Sequence, residues 1–486
     1  MTALAESVCG AGLIRTSALV AGEWMQSEAR FEVVNPATEE VIASVSDTPS
    51  EDVSLAIAEA EKAQLAWWAT NPRHRESVLN SWCDEVLSAK DVLADIIVLE
   101  QGKPKFEALG EVEYAASFLR WFAAETRRSY GKTIPSQFPN AQLITTQVPV
   151  GVAALITPWN FPAAMLTRKA GAALAAGCSV IAHPSPETPL TALALGELAI
   201  KAGLPKGLLS ILPGDSPRIV GHLCSDTRIG AISFTGSTKV GSLIASQSAP
   251  TMKKLSMELG GHAPFIGFAD FELPELVDAA INAKFQTSGQ DCLAANRILI
   301  EESIYEEFVT LFSQRVSELR VGDGFDVRTD IGPLQNAAQV ARNRDQLEDA
   351  IAKGARLIVD NASSKSVGFF CGPAVVADID ESMEIWSEET FGPVAAVRSF
   401  SSIEQACALA NDTCYGLAAY IFTRDIGKAL RLKNRLEFGM VAINRVSITG
   451  PEIPFGGVKM SGLGREGADQ GMLEFMETQY CCLQLT

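Results

Sequence analysis

The chain predicts an α/β protein built on a parallel sheet with helices on both faces, and three observations lead there. Between Val148 and Leu259, short apolar runs alternate with helical patterns. A chain of 486 residues is long enough for two or three domains with large apolar cores. A composition of 47% hydrophobic and 20% charged residues is that of a folded globular chain, not a disordered one. The formal charge of −18 argues against nucleic acid or an anionic membrane surface as partner, so an anionic substrate would need locally placed cations.

The first fifty residues alternate apolar runs with turns, and Phe31 to Val45 reads as edge strands. From Glu51 apolar positions recur at three- and four-residue steps through Trp68, then over Ser77 to Leu87 and Val92 to Leu99, predicting helices. A long aromatic helix follows over Phe106 to Arg127, where core packing suffices to explain Tyr114, Phe118, Trp121 and Phe122. Between Ser129 and Val148 the helical period stops and Pro135, Pro139 and Asn140 punctuate extended segments. Such a ribbon is either a protrusion that pairs with another subunit or an ordinary surface hairpin.

The βα repeat then sets strands at Val150 to Ile156, Ser179 to Ala182, Leu208 to Leu212, Ile229 to Phe234 and Lys254 to Leu259. Helices are predicted between them, at Ala163 to Ala176, Thr188 to Gly203, Pro217 to Cys224 and Thr238 to Ser248. In such a sheet ligands bind at the carboxyl ends of the strands. One end reads Ser233-Phe-Thr-Gly236-Ser237-Thr-Lys-Val-Gly241, where glycine admits close backbone approach and the helix start attracts a pyrophosphate; a structural turn is the other reading. Another reads Thr157-Pro158-Trp159-Asn160-Phe161-Pro162, where the Asn160 amide can donate to a developing oxyanion or cap the next helix. Beyond Glu302 the pattern is again α/β, with helices at Tyr305 to Leu319, Ala337 to Lys353, Ile403 to Asn411 and Ile426 to Leu436.

The stretch from Met257 to Asn296 carries an acid and a thiol in glycine-rich turns, Met-Glu258-Leu259-Gly-Gly and Gly-Gln-Asp-Cys292. A cysteine with a carboxylate suits a nucleophile with a water-activating base, and a buried thiol beside an unrelated acid is the alternative. Ten scattered cysteines without a C-x-x-C pair, and four histidines away from them, predict reduced thiols and no metal site. Met1 to Gly12 lacks a basic n-region, and no run of 18 apolar residues occurs, so a cytoplasmic protein is expected.

Six segments, in order, resemble the NAD(P)-dependent aldehyde dehydrogenases: Thr-Pro-Trp-Asn160-Phe-Pro, Phe-Thr-Gly-Ser237-Thr-Lys-Val-Gly, Met-Glu258-Leu-Gly-Gly, Gly-Gln-Asp-Cys292, Glu388-Glu389-Thr-Phe391-Gly-Pro and Pro454-Phe-Gly-Gly-Val-Lys. The resemblance implies an aldehyde dehydrogenase-like fold: a Rossmann-type cofactor domain over 1–128 and 149–259, and an α/β catalytic domain over 260–440. Strands at 129–148 and 470–486 would build a homodimer or tetramer, and 441–469 would return to the cofactor domain and line the substrate pocket. It implies that Cys292 attacks the aldehyde, Asn160 and the Cys292 N–H hold the oxyanion, and Glu258 activates water to open the thioester, with Lys169 and Glu466 assisting proton movement. Thr157, Pro158, Trp159, Gly236, Ser237, Gly241, Leu259, Glu389 and Phe391 would contact the cofactor, with His183 and Ser185 near its adenosine. The family usually has Lys where His183 stands and often Glu where Pro186 stands. Loss of the Lys favours NAD and loss of the acid favours NADP; the balance falls on NAD.

Met165-Leu166-Thr167-Arg168-Lys169 resembles the branch that oxidises succinate semialdehyde, in which the residue at Arg168 meets the distal carboxylate. A bidentate carboxylate fits a guanidinium fork, although pairing with a nearby acid such as Asp291 would also account for a buried Arg168. Phe161, Gln286, Arg445, Thr449 and Phe455 are the other expected substrate contacts. Gln286 stands where that branch has a second Arg, leaving two readings: Arg445 supplies the missing cation, or the pocket takes a different semialdehyde. The branch's second cysteine is Ala294 here, so no disulfide switch at Cys292 is expected. Glu258 argues against a CoA-acylating enzyme, and Cys292, Glu258 and Asn160 together argue against a non-catalytic dinucleotide-binding protein.

Overall fold

Apolar runs and 3.6-residue patterns alternate along the chain, and the computed structural model, which describes residues 12–361 and 366–485, folds them into two parallel sheets. Cys9 and the rest of Met1 to Ala11 lie outside the described residues. Arg30–Val34 and Val41–Ser46 form the antiparallel pair expected near the start. Three helices follow, Ser50–Trp68, Pro72–Ser88 and Lys90–Gln101. The second begins five residues before its apolar pattern. Asn71 accepts the His74 N–H and Pro72 takes the first helical position, so a polar first turn is held by its cap.

Helix α1 (Lys105–Glu125) turns Val112, Ala115, Leu119 and Phe122 inward. It packs on α2 (Pro162–Ala176), every residue of which is buried. Such a helix reads as apolar all round, so its two charges, Arg168 and Lys169, must find partners inside the protein.

The first sheet contains β1 (Val152–Thr157), β2 (Ser179–Pro184), β3 (Leu209–Ile211), β4 (Ile229–Thr235) and β5 (Lys254–Glu258), mutually parallel in the spatial order 3-2-1-4-5. Ala18–Val20 and Glu23–Met25 extend it antiparallel beyond β3, and Gly462–Leu463 pairs antiparallel with β5. Sequential order reverses between β1 and β4, the switch point at whose carboxyl ends a doubly wound sheet opens a crevice.

The second sheet is built from β6 (Ala263–Gly267), β7 (Ala295–Glu301), β8 (Ala374–Ala377), β9 (Val394–Phe400), β10 (Ala418–Phe422) and β11 (Met440–Ile443), parallel in the order 8-9-7-6-10-11. Arg356–Asp360 adds an antiparallel edge. A third sheet joins Lys132–Ile134, Ala141–Pro149 and the terminal strand Met476–Gln484, with Tyr480 and Leu483 exposed upon it. Among the described residues no helix is long and apolar enough to cross a membrane.

The α1–α2 contact sets the position of everything that follows β1. Phe122→Ala, at a fully buried site, should cost about 3–5 kcal/mol in urea unfolding, while Leu65→Ala, at a position 68% exposed, should change it by less than about 0.5 kcal/mol.

Candidate active site

The segments leaving β1, β4 and β5 enter one cavity of about 930 Å³, closed on its far side by residues of the second sheet's loops. Pro158, Trp159, Asn160 and Phe161 line it from β1, and Gly236 and Ser237 from β4. Leu259, Asp291, Cys292, Glu389 and Phe391 complete the wall between the two sheets.

Asn160 is 6% exposed, and its Nδ2 donates to the Gln290 carbonyl at 3.0 Å. It does not cap α2, since Phe161 holds the N-cap position without a side-chain bond. Glu111 serves that helix start instead: its Oε1 accepts from the N–H groups of Ala163 and Ala164 at 2.8 and 3.3 Å. Its Oε2 pairs with Lys103 Nζ at 2.5 Å, and Lys103 also donates to the Asn160 carbonyl at 2.8 Å. Backbone and amide of Asn160 are thus both fixed, leaving the second amide N–H available to a ligand.

Cys292 follows a turn whose residues Thr287, Ser288 and Gly289 all have φ between +50° and +72°. A Cβ on Gly289 would stand 2.3 Å from the Gly392 carbonyl, and one on Gly261 would stand 2.0 Å from that of Cys292, so both close approaches require glycine. Burial first, then Asp291 and Glu389, pushes the Cys292 thiol well above its ordinary value of 9.0.

Glu258 ends β5, is 2% exposed, and neither carboxylate oxygen has a hydrogen-bond partner. Burial, then Glu466, pushes it well above the usual carboxylate range. It does not line the cavity; it stands among Arg168, Lys169, Arg465 and Glu466, close enough for its charge to act on Cys292. Glu466 bridges the two cations of α2, in ion-pair contact with Arg168 Nε at 2.5 Å and hydrogen-bonded by Lys169 Nζ. Lys169 also donates to Ser233 Oγ at 2.9 Å. The acid that Arg168 meets is therefore Glu466, not Asp291. Its guanidinium also lies 4.4 Å from the centroid of the Phe455 ring.

On the opposite wall, Ser237 caps α3 (Thr238–Ser248), its Oγ accepting from the Val240 N–H at 3.4 Å. Glu389 Oε1 accepts from the Gly261 N–H at 2.9 Å, and burial pushes this acid up to about 7. Phe391 sits edge-on to Trp159 at 5.4 Å. A helix start, a carboxylate able to accept from a sugar hydroxyl and a pair of aromatic rings fit a dinucleotide.

Residues 24–481 match the model of the Aldehyde dehydrogenase family. The chain belongs to the aldehyde dehydrogenase family. It is 48% identical over 474 residues to aspartate-semialdehyde dehydrogenase (non-phosphorylating) of Halomonas elongata, covering 97% of this chain and 96% of that protein. Identity to succinate-semialdehyde dehydrogenase [NADP(+)] of Escherichia coli is 42%, over 97% of this chain and 98% of that one. The crystal structure of betaine aldehyde dehydrogenase from Staphylococcus aureus in complex with NAD+ superposes with a TM-score of 0.97 at 31% identity, covering 99% of this chain and 98% of that one.

Within this aldehyde dehydrogenase, Gln286, Thr449 and Phe455 line the cavity along with Phe161 and Arg168. Arg445 does not: it is exposed and outside the lining, which corrects the expectation that it faces the substrate. Asn444 leaves β11 at φ +54° and is tied on both sides of its amide to Thr423, which turns the next residue outward while Val446 to Thr449 fold back over the cavity. His183 is likewise turned into the fold, Nδ1 against the Leu212 carbonyl and Nε2 against Ser216 Oγ, both at 2.8 Å. Thr157 and Ser185 also lie outside the lining, and Gly241 packs on Leu259.

Sequence reasoning missed Lys103, Glu107 and Glu111, and read Tyr114 as core. Glu107, Glu111 and Tyr114 recur at steps of four and three on α1 and share the face that lines the cavity. The signal available was an acidic pair on an otherwise apolar helix face. Alkylation of Cys292 in the cofactor-free protein, followed by peptide mass spectrometry, should accelerate with pH beyond the ordinary thiol value of 9.0. A rate that levels off near neutrality would contradict the burial described above.

Proposed function

We propose that this aldehyde dehydrogenase oxidises a short carboxylate-bearing aldehyde, succinate semialdehyde first among them, to the carboxylic acid with NAD. The observation that carries the reading is Arg168, a buried guanidinium lining the same cavity as Cys292. Tyr114 adds a hydroxyl beside Arg168 and Thr449. Arg168 and Lys169 together face the single carboxylate of Glu466, two cations to one acid, which suits an incoming carboxylate.

In this reading Cys292 Sγ adds to the aldehyde carbon, and the oxyanion takes the free N–H of the Asn160 amide and the Cys292 backbone N–H. When bound, the dinucleotide supplies the hydride acceptor. Glu258 then takes a proton from water as it attacks the resulting thioester, releasing the acid and restoring the thiol. From its place beside Glu466 this carboxylate turns toward the cavity to act, with Lys169 and Glu466 beside it to assist proton movement. NAD is favoured because Ser185 and Glu187 pair with each other after β2, and burial lowers the neutral His183 ring further, so neither offers a cation to a 2′-phosphate. The third sheet, with Tyr480 and Leu483 exposed, supports a homo-oligomer, and the free cysteines suit the reducing cytoplasm.

Cys292→Ala should abolish turnover, and Glu258→Gln should give one burst of NADH followed by a steady state reduced roughly 100-fold or more. An unimpaired steady state in Glu258→Gln would remove the base from the scheme. Arg168→Ala should lower kcat/KM for succinate semialdehyde roughly 10- to 100-fold more than for butanal; equal losses would mean that Arg168 does not meet the carboxylate.

A further inference from the structure

Three glycines line the cavity, and close packing accounts for two of them. A Cβ on Gly236 would stand 2.5 Å from the Phe234 ring, and one on Gly260 would stand 2.9 Å from Glu389 Oε2. Gly110, inside α1, is different. Nothing in the rest of the fold lies within 4 Å of where its Cβ would stand, and its φ is not in the left-handed region. Among the described residues only Gly221 shares both properties, and it does not line the cavity.

Glycine is the least favourable residue in a helix interior after proline, because it gives up the most backbone freedom on folding. Alanine would fit at 110 without a clash, so neither the packing nor the backbone asks for glycine there. The cavity does. Phe106, Gly110 and Tyr114 recur at four-residue steps on α1 and form one row of the lining, about 6 Å apart along the helix axis. Phe106 is 62% exposed, and Asn282, Gln286 and Asp330 of the same lining are exposed as well. At the other end Tyr114 lies beside Thr449 and the buried Arg168. The row therefore runs from solvent to the interior, with an aromatic ring at either end and a gap between them. A long side chain in that gap would lean toward the preceding turn, where Phe106 stands, and lie across the way in.

We infer that Gly110 is a specificity-determining residue: its missing side chain keeps open a passage from the exposed end of the row to Tyr114 and Arg168, through which an unbranched aldehyde of four carbons enters. This rests on the proposed reading of Cys292 as the group that meets the aldehyde, and not on the reading of Arg168. The passage admits a chain by its width, whatever the chain bears at its far end. A long side chain at 110 leaves room only for two-carbon aldehydes.

The test measures kcat/KM for acetaldehyde, butanal and succinate semialdehyde, together with the melting temperature, in the native enzyme, Gly110→Ala, Gly110→Leu and Gly110→Gln. Gly110→Ala should melt no lower than the native enzyme, since its methyl group meets open space and alanine favours the helix. Gly110→Leu should lower kcat/KM for butanal and succinate semialdehyde roughly 10-fold or more relative to acetaldehyde, with KM for NAD unchanged. Gly110→Gln, of similar length but polar, should do the same. Equal losses across the three aldehydes, or unchanged rates in either long-chain variant, would overturn the passage. A loss confined to succinate semialdehyde would overturn it too, because butanal has the same chain length without the carboxylate. Failure of the carboxylate reading shows separately, as an Arg168→Ala variant that treats butanal and succinate semialdehyde alike while Gly110→Leu still excludes both.

Discussion

Arg168 and Lys169 stand on successive residues of a helix with no exposed face, and they can remain charged there because one carboxylate meets both. An unpaired ion in that position would cost several kcal/mol after all relaxation. Glu466 is itself held by reciprocal backbone hydrogen bonds with Phe455, each at 2.7 Å. Phe455 in turn covers the Arg168 guanidinium. The returning chain after β11 is thereby fastened to the first sheet by charge, backbone pairing and a ring face at one place. Without that attachment the cavity between the two sheets would lack its floor.

The roof has a different origin. Cys292 follows a turn of consecutive left-handed residues, and such backbone persists where the surroundings over-determine it. Those surroundings are identifiable: Glu107 holds the Thr287 N–H, Ser288 Oγ donates to the Gly332 carbonyl at 3.0 Å, and Gln290 Oε1 accepts from the Gln335 N–H at 3.0 Å. Each tie runs to a different part of the chain. Asn160 closes the set by donating to the Gln290 carbonyl, so its amide and the turn that carries the thiol are parts of one hydrogen-bonded unit.

How much of this could be read from the sequence depended on whether a residue's partner lay nearby in the chain. The five parallel strands and the helices between them follow from local period, and helix ends moved by a few residues, at Asn71 because a cap and a polar first turn decided the start. The motifs around Asn160, Ser237, Glu258, Cys292 and Glu389 were visible as glycine-rich strand ends. Lys103 and Glu111 were not, because a charged residue on a helix looks solvated until a strand end from far along the chain arrives to use it. Arg445 failed for the converse reason: its position depends on the Asn444–Thr423 tie, which turns a loop by one residue and cannot be seen in spacing. His183 was placed by resemblance, and the hydrogen bonds to Leu212 and Ser216 take its ring away from the cavity.

Glu258 and Glu466 are both buried, both carboxylates and mutually repulsive, yet their environments drive them in opposite directions. Burial works against either charge, but Glu466 has Arg168 and Lys169 in contact and is held below the usual carboxylate range, whereas Glu258 has no hydrogen bond and is driven well above it. A proton acceptor for water must have appreciable affinity for the proton it takes, and of these two acids Glu258 holds a proton the more readily. The asymmetry arises from contact alone: Glu466 is wrapped by cations and supports the charge of Arg168, and Glu258 is left bare beside it.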